Sequence, residues 1–235
     1  MTGRVVRIGD CVLHLGDCRD HLADLGRVDV CIADQPYGSG FVRGGASVGV
    51  FLGTGARPAW DVWSTDWIDL VDAGTVAAFC PCSRLSDLIA ALGGGQLRFY
   101  VKSNPRPALR GVDAPSVEPI VVYPRVRFGI GPQHFTAYNG DNEFHETQKP
   151  LPVMEWLVLG CSAPGETILD PFCGSGTTGV AAVRMGRSFI GIERDPVHFA
   201  TACRRIEEAH RQRDLFHHVP AAAPAVTPDL FAGAA

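Results

Sequence analysis

Three acids stand where a ligand site would want them. Asp170 closes a short apolar run at 167–169, and the turn P-F-C-G-S-G-T follows it. Glu193 closes the next apolar run, 188–192, beyond a stretch rich in Ala and Val. Glycines at a strand-to-helix turn let main chain approach a ligand closely, and the first N–H groups of the helix are free to face it. An acid at the end of the following strand can accept both hydroxyls of a ribose. The third acid is Asp34, in the segment A-D-Q-P-Y-G. A carboxylate, a carbonyl held ahead of Pro36 and the ring of Tyr37 suit a planar group bearing an amino function. Asp34 can take one amino hydrogen, the Gln35 main-chain carbonyl the other, and Tyr37 can stack on the ring. Accepting both hydrogens leaves the nitrogen lone pair less conjugated and freer to attack.

The glycine turn differs from the dinucleotide pattern G-x-G-x-x-G because an acid heads it. A carboxylate there repels a pyrophosphate and suits a cation, such as an ammonium or a sulfonium. This favours S-adenosylmethionine over a nicotinamide dinucleotide. Taken singly, each motif has a plainer reading: a tight turn with a helix cap at 170–177, and a Pro-Tyr turn after a strand at 34–38.

Elements must end where these residues stand. Residues 4–15 alternate as a hairpin turning at Gly9-Asp10, and 18–25 read as helical. The buried strand 28–33 leads straight into Asp34. The glycine-rich stretch 39–59 is long for a plain connection and is expected to be a functional loop or lid. A helix at 66–73 and a strand at 75–80 follow. Ser83 is a plausible cap for a helix that runs to Leu92 and stops at Gly93-Gly94-Gly95. Strands are expected at 97–102 and 117–123, with 125–130 beside the latter. A turn at 103–107 and a polar loop at 131–146 separate them from a helix opening at Pro150. The cofactor strand and helix come next, then the strand ending at Glu193 and a helix at 196–210. Strands alternating with helices imply an α/β fold with a largely parallel sheet and helices on both faces. One domain over 1–215 is expected: a catalytic half, 1–125, a short recognition or loop region, 126–146, and a cofactor half, 147–215. Residues 216–235, Ala- and Pro-rich, read as a disordered tail.

With 235 residues, 46% hydrophobic, the chain can build a sizeable core. No apolar run reaches the length of a membrane span, and the first residues lack the apolar core of a signal peptide. The eight Cys are scattered apart from C-P-C at 80–82, and no second pair completes a zinc site. No metal is expected, and the thiols read as reduced and buried in a cytoplasmic protein. The net charge of −4 does not announce a nucleic-acid binder. Counterion release depends on local phosphate contacts rather than on the total, however. Arg98, Lys102, Arg106, Arg110, Arg125 and Arg127 fall in one central stretch opposed only by Asp113 and Glu118. A solvated face is the bland explanation of that stretch.

The two motifs together, with L-H-L-G-D-C-R-D-H-L at 13–22, V-K-S-N-P-R-P at 101–107, E-T-Q-K-P-L at 146–151 and G-I-E-R-D at 191–195, resemble the DNA amino-methyltransferases. These are the adenine-N6 and cytosine-N4 enzymes, here of the permuted (beta) class with the catalytic motif ahead of the cofactor motif. The resemblance covers most of residues 5–210. It implies a seven-stranded Rossmann-like methyltransferase sheet in permuted order. It also implies methyl transfer from S-adenosylmethionine to the exocyclic amino group of a flipped base in double-stranded DNA, with adenine favoured because Asp heads the catalytic motif. Asp34, Gln35, Pro36 and Tyr37 match that motif, and Asp34 also borders the cofactor. Asp170, Phe172, Cys173, Gly174, Ser175, Gly176 and Thr177 match the cofactor turn, and Glu193, followed by Arg194, the ribose acid. Asp17 and Cys18 match the pair beside the cofactor adenine, while Gln148, Lys149 and Pro150 match the element closing over its methionine end. Lys102, Arg106 and Arg110 would then contact phosphates. A homodimer, a cognate restriction endonuclease and a bacterial or phage source are further implications, with no membrane involved.

The sequence departs from the family at two points. Gln35 replaces the first Pro of the catalytic motif, keeping the carbonyl but losing the fixed φ. The region ahead of T-Q-K-P is short, so recognition must be brief, come from 39–65, or come from another subunit. Methyl transfer to cytosine-N4, to RNA or to a protein glutamine, and a silent binding module, remain alternatives at this level.

Overall fold

The computed structural model describes residues 3–38, 61–104, 116–127, 133–138 and 148–217. Among these, nine strands form one sheet: β1 (Val5–Ile8), β2 (Cys11–Leu15), β3 (Val28–Ala33), β4 (Ala73–Phe79), β5 (Gln96–Lys102), β6 (Val117–Tyr123), β7 (His134–Ala137), β8 (Thr167–Asp170) and β9 (Ser188–Glu193). Their order across the sheet is β1-β2-β9-β8-β3-β4-β6-β5-β7. Only β1 and β6 run against their neighbours. The helices are α1 (Leu85–Leu92), α2 (Leu151–Cys161), α3 (Thr177–Arg184) and α4 (Pro196–His217).

The strands of the centre read V-D-V-C-I-A and A-G-T-V-A-A-F because both faces are covered, which removes the need for polar alternation. Val30, Ile32, Ala77, Phe79, Ile120 and Val122 face one core, together with apolar residues of α2, α3 and α4. Cys31, Ala33, Val76, Ala78 and Val121 face the other, with Leu88 and Leu92 of α1 and with Trp67. Helix α3 packs between α2 and α4, so nearly all of it is buried. Its Gly179 has no room for a side chain: a Cβ there would meet Ile206 Cδ1 at 2.5 Å.

Several expectations are corrected. Among the described residues the sheet has nine strands rather than seven. The two outermost strands, β1 and β7, have four residues each. β7 arises in the segment expected as a polar loop, where Phe135 packs on Trp156 of α2 with ring centroids 5.5 Å apart. The helix expected at 66–73 is a single 3-10 turn, Ile68–Leu70, followed directly by β4. Here parallel pairing wins: Ala73 lies opposite Val28, and a Cβ on Gly74 would sit 2.9 Å from the Asp29 carbonyl oxygen. Residues 18–25 form two 3-10 turns, Cys18–Asp20 and Leu22–Asp24. Residues 125–127 are not strand, since β6 already has β4 and β5 on its two edges. The hairpin turning at Gly9 holds, with Ile8 opposite Cys11, and α1 ends at Gly93 with φ 75°. The expected 39–59 loop, most of the 103–107 turn and the tail beyond 217 lie outside the described residues.

Candidate active site

The sheet has a switch point between β8 and β3. From β8 the chain crosses through α3 to β9 on one side, whereas β3 leads to β4 on the other. In open α/β sheets the crevice outside the carboxyl ends of such strands is where ligands sit. Register brings the acids to this edge. Cys31 lies opposite Leu169, Asp170 opposite Gly191, and Leu15 opposite Glu193. Asp17, Glu193, Asp170 and Asp34 therefore leave four successive strands at one rim.

On the β8 side, Asp170 is only 2% exposed. Its carboxylate accepts the Phe172 N–H at 3.0 Å and the Thr178 hydroxyl. Burial outweighs these bonds and pushes its pKa up to about 7. Glu193 accepts the Gly174 N–H at 2.7 Å with one oxygen and the Asp195 N–H at 2.7 Å with the other. Burial raises it as well. Gly174 and Gly176 have φ of 53° and 84°, values L side chains rarely adopt. Cys173 is buried, and its N–H donates to the Ile192 carbonyl at 2.9 Å, tying the turn to β9. Ser175 and Thr177 are buried against Arg205 of α4, which donates to the Ser175 carbonyl at 2.6 Å and to the Thr177 hydroxyl at 3.3 Å. The Phe172 ring meets the Trp67 ring edge-on at 5.5 Å.

Asp17 stands at the end of the row, clasped by Arg19 through contacts of 2.9 and 2.8 Å that hold its carboxyl down at about 2. Cys18 is buried beside it, and desolvation pushes that thiol up to about 12. Arg194 is exposed just past Glu193. Pro150 precedes α2, and the side-chain oxygen of Gln148 is buried with no hydrogen-bond partner among the described residues.

On the β3 side the structure assembles a set of charges. The ammonium of Lys149 lies 2.6 and 2.7 Å from the two oxygens of Asp34. It also lies 3.2 Å from Glu118 on β6, and the other Glu118 oxygen is 2.6 Å from Lys102 on β5. Tyr37 donates its hydroxyl to Glu118 at 3.1 Å. Burial opposes the charge on Glu118, but Lys149 and Lys102 outweigh it and hold the carboxyl down at about 2. Burial raises Asp34 above an ordinary aspartate; Lys149 works against that shift and Glu118 adds to it. Lys149 stays charged because its two acids outweigh its own desolvation. Its ammonium also lies 5.2 Å from the Tyr37 ring centre and 5.0 Å from that of Phe79.

Gln35 is buried, and its amide donates to the Phe79 carbonyl at 3.1 Å, at the end of β4. This bond ties the D-Q-P-Y turn to the neighbouring strand without the first proline of the matched motif. The turn is fixed again at Gly38, whose N–H donates to the buried Asp61 at 2.8 Å.

Two of the expected site lysines join this charge set. Lys149, expected over the cofactor, reaches Asp34. Lys102, expected at a phosphate, has its ammonium on Glu118 and a side chain only 16% exposed. Arg106 and Arg110 lie outside the described residues. In the sequence Glu118 reads only as a counter-charge. The available signal was an acid set inside the apolar strand V-E-P-I-V-V-Y, a position that burial permits only with partners.

With an acid-headed glycine turn and the D-Q-P-Y turn on opposite sides of one switch point, the chain has an α/β methyltransferase fold. Residues 128–204 match the N6/N4 methyltransferase family model, described as DNA methylase. The type II methyltransferase M2.DpnII of Streptococcus pneumoniae is 49% identical over 63 residues, which is 27% of this chain and 24% of that protein. The DNA adenine methyltransferase YhdJ of Escherichia coli K12 is 39% identical over 87 residues, 37% of this chain and 26% of that protein. The aligned stretch thus spans about a quarter of these relatives. The crystal structure of the M1.HpyAVI–SAM complex superposes with a TM-score of 0.59 at 25% identity, covering 82% of this chain and 98% of that one. Over part of its length, then, the chain is similar in sequence to DNA methyltransferases.

Proposed function

We propose that this protein transfers a methyl group from S-adenosylmethionine to the exocyclic amino group of a base in double-stranded DNA, adenine-N6 in preference to cytosine-N4. One observation carries the reading: Asp34 and Asp170 stand at the ends of adjacent parallel strands, one heading an amino-gripping turn and the other a glycine turn. The 39% identity to a DNA adenine methyltransferase supports the choice of base.

The donor set fits the cofactor. Asp170 offers a dry carboxylate to a cationic ligand, Glu193 has lone pairs left for ribose hydroxyls, and Asp17 reaches the adenine end. Gln148 supplies an unpaired carbonyl oxygen beside Lys149. When bound, S-adenosylmethionine supplies an electrophilic methyl carbon. The chain's own residues do the rest. Asp34 and the Gln35 carbonyl accept the two amino hydrogens and aim the nitrogen lone pair. Tyr37 stacks on the base, which must leave the duplex for its amino group to be reached. Asp34 would also receive the proton that the alkylated nitrogen sheds. No covalent adduct with the protein is required.

Arg106 and Arg110 are the remaining phosphate contacts of this reading. The order of motifs along the chain, catalytic turn first, supports the permuted class. The type II relative supports a cognate restriction endonuclease and a bacterial or phage-borne cytoplasmic setting, and a homodimer would add recognition surface. Incubation with tritiated S-adenosylmethionine and equal amounts of duplex DNA, RNA and protein tests the proposal. Label is expected in DNA at least about 100-fold above the other two, and label in RNA or protein alone would overturn it.

A further inference from the structure

We propose that Glu118 is a positioning residue for the amino-gripping turn, holding the Tyr37 hydroxyl and sharing Lys149 with Asp34. The inference rests on the methyltransferase reading above and goes beyond it by assigning a role to β6. Three donors from three elements converge on this carboxylate: Tyr37 at 3.1 Å, Lys149 at 3.2 Å and Lys102 at 2.6 Å. An ammonium has three N–H bonds. In Lys149 two of them meet the oxygens of Asp34 and leave one for Glu118. Asp34 consequently carries only part of the lysine's charge and keeps lone pairs for a substrate amino group.

The same arrangement serves the proton. When the alkylated nitrogen sheds it, the N–H bond breaks and an O–H bond forms on Asp34, which becomes neutral. Lys149 would then lose its main partner, and Glu118 keeps it seated. Glu118 is itself spared protonation, because Lys102 and Lys149 both face it. The groups around Asp34 are Lys149, Glu118, Tyr37 and Asp170. Those around Glu118 also include Lys102, Tyr100 and Cys80.

The test compares Glu118→Gln with the wild type, using the full chain. The expected result is a fall in kcat on the order of 100-fold, the size of effect that misplacement of a reacting group produces. The KM for DNA and the cofactor Kd should change by less than about 3-fold, as expected when an interaction made only in the transition state is lost. The acid limb of the kcat–pH profile should move to lower pH. Removing the negative charge and giving Lys149 wholly to Asp34 both favour the Asp34 carboxylate. A purely structural glutamate would not move that limb. Should the excess positive charge unfold the single variant, Lys102→Met/Glu118→Gln removes one charge of each sign and carries the same measurements. Wild-type kcat with an unshifted acid limb in the folded variant overturns the proposal. A wild type that transfers no methyl overturns the underlying reading instead. The proposal is then decided by carbon-13 NMR titration of the Asp34 carboxyl: a lower midpoint in the variant upholds it, an unchanged midpoint overturns it.

Discussion

A carboxyl that titrates near neutrality inside a binding turn makes its own prediction. Burial lifts Asp170 to about 7. Between its ordinary value and that point, the folded chain holds a proton that the unfolded chain has released. Its contribution to stability is therefore present at low pH and is lost as the pH rises through 7. A cationic ligand reverses the balance, because it favours the carboxylate. S-adenosylmethionine should bind more tightly at pH 8 than at pH 6. Asp170→Asn should weaken that binding at least about 10-fold while raising the melting temperature of the free protein at pH 8, by about 2–4 °C for each kcal/mol gained. Calorimetry at the two pH values and thermal melts check both. Equal affinity at pH 6 and pH 8 would count against a cationic ligand at this turn. Gln35 shows what a residue can hide from a sequence. Its missing proline reads as lost rigidity, whereas the bond that ties the turn down runs to Phe79, 44 positions along the chain.

Among elements, the turn between β8 and α3 is tightly constrained. Gly176 combines φ 84° with a site where a Cβ would lie 3.0 Å from both Cα and Cβ of Ala202 on α4. Gly186, with φ 71°, has nothing within 4 Å of that position. Gly186→Ala should then cost about 1–2 kcal/mol from backbone conformation alone. Gly176→Ala should cost about 1–3 kcal/mol more, because α4 must shift. Urea denaturation measures the difference, and equal losses would show that α4 does not press on the turn. The strands and helices at the centre were legible because burial and periodicity agree there: 28–33 and 117–123 were read to the residue. The failures lie where tertiary contact overrides local pattern. Residues 66–73 look helical alone, yet β3 recruits their end as a strand. H-F-T-A at 134–137 looks like loop until β5 offers it an edge.

At the scale of the whole molecule, the site is made by one pairing, β3 with β8, which joins the first part of the chain to the last third. The acids of the rim were legible because each ends a strand and carries its own local motif. The charge set behind Asp34 was not, since Lys102, Glu118 and Lys149 come from three elements and share no spacing rule. With Lys102 turned inward, the proposed DNA substrate would be met by other cations of a chain whose net charge is −4. On the proposed reading, Asp34 presents a base's exocyclic amino group to a methyl donor bound at the Asp170 turn. Duplex DNA should be incubated with S-adenosylmethionine and the wild type or Asp34→Ala, then digested to nucleosides and resolved by mass spectrometry. The wild type should give N6-methyladenine, the variant at least about 1,000-fold less, with cofactor binding retained by calorimetry. Wild-type levels of methylated base from Asp34→Ala, or methylation confined to ring carbon, would contradict it.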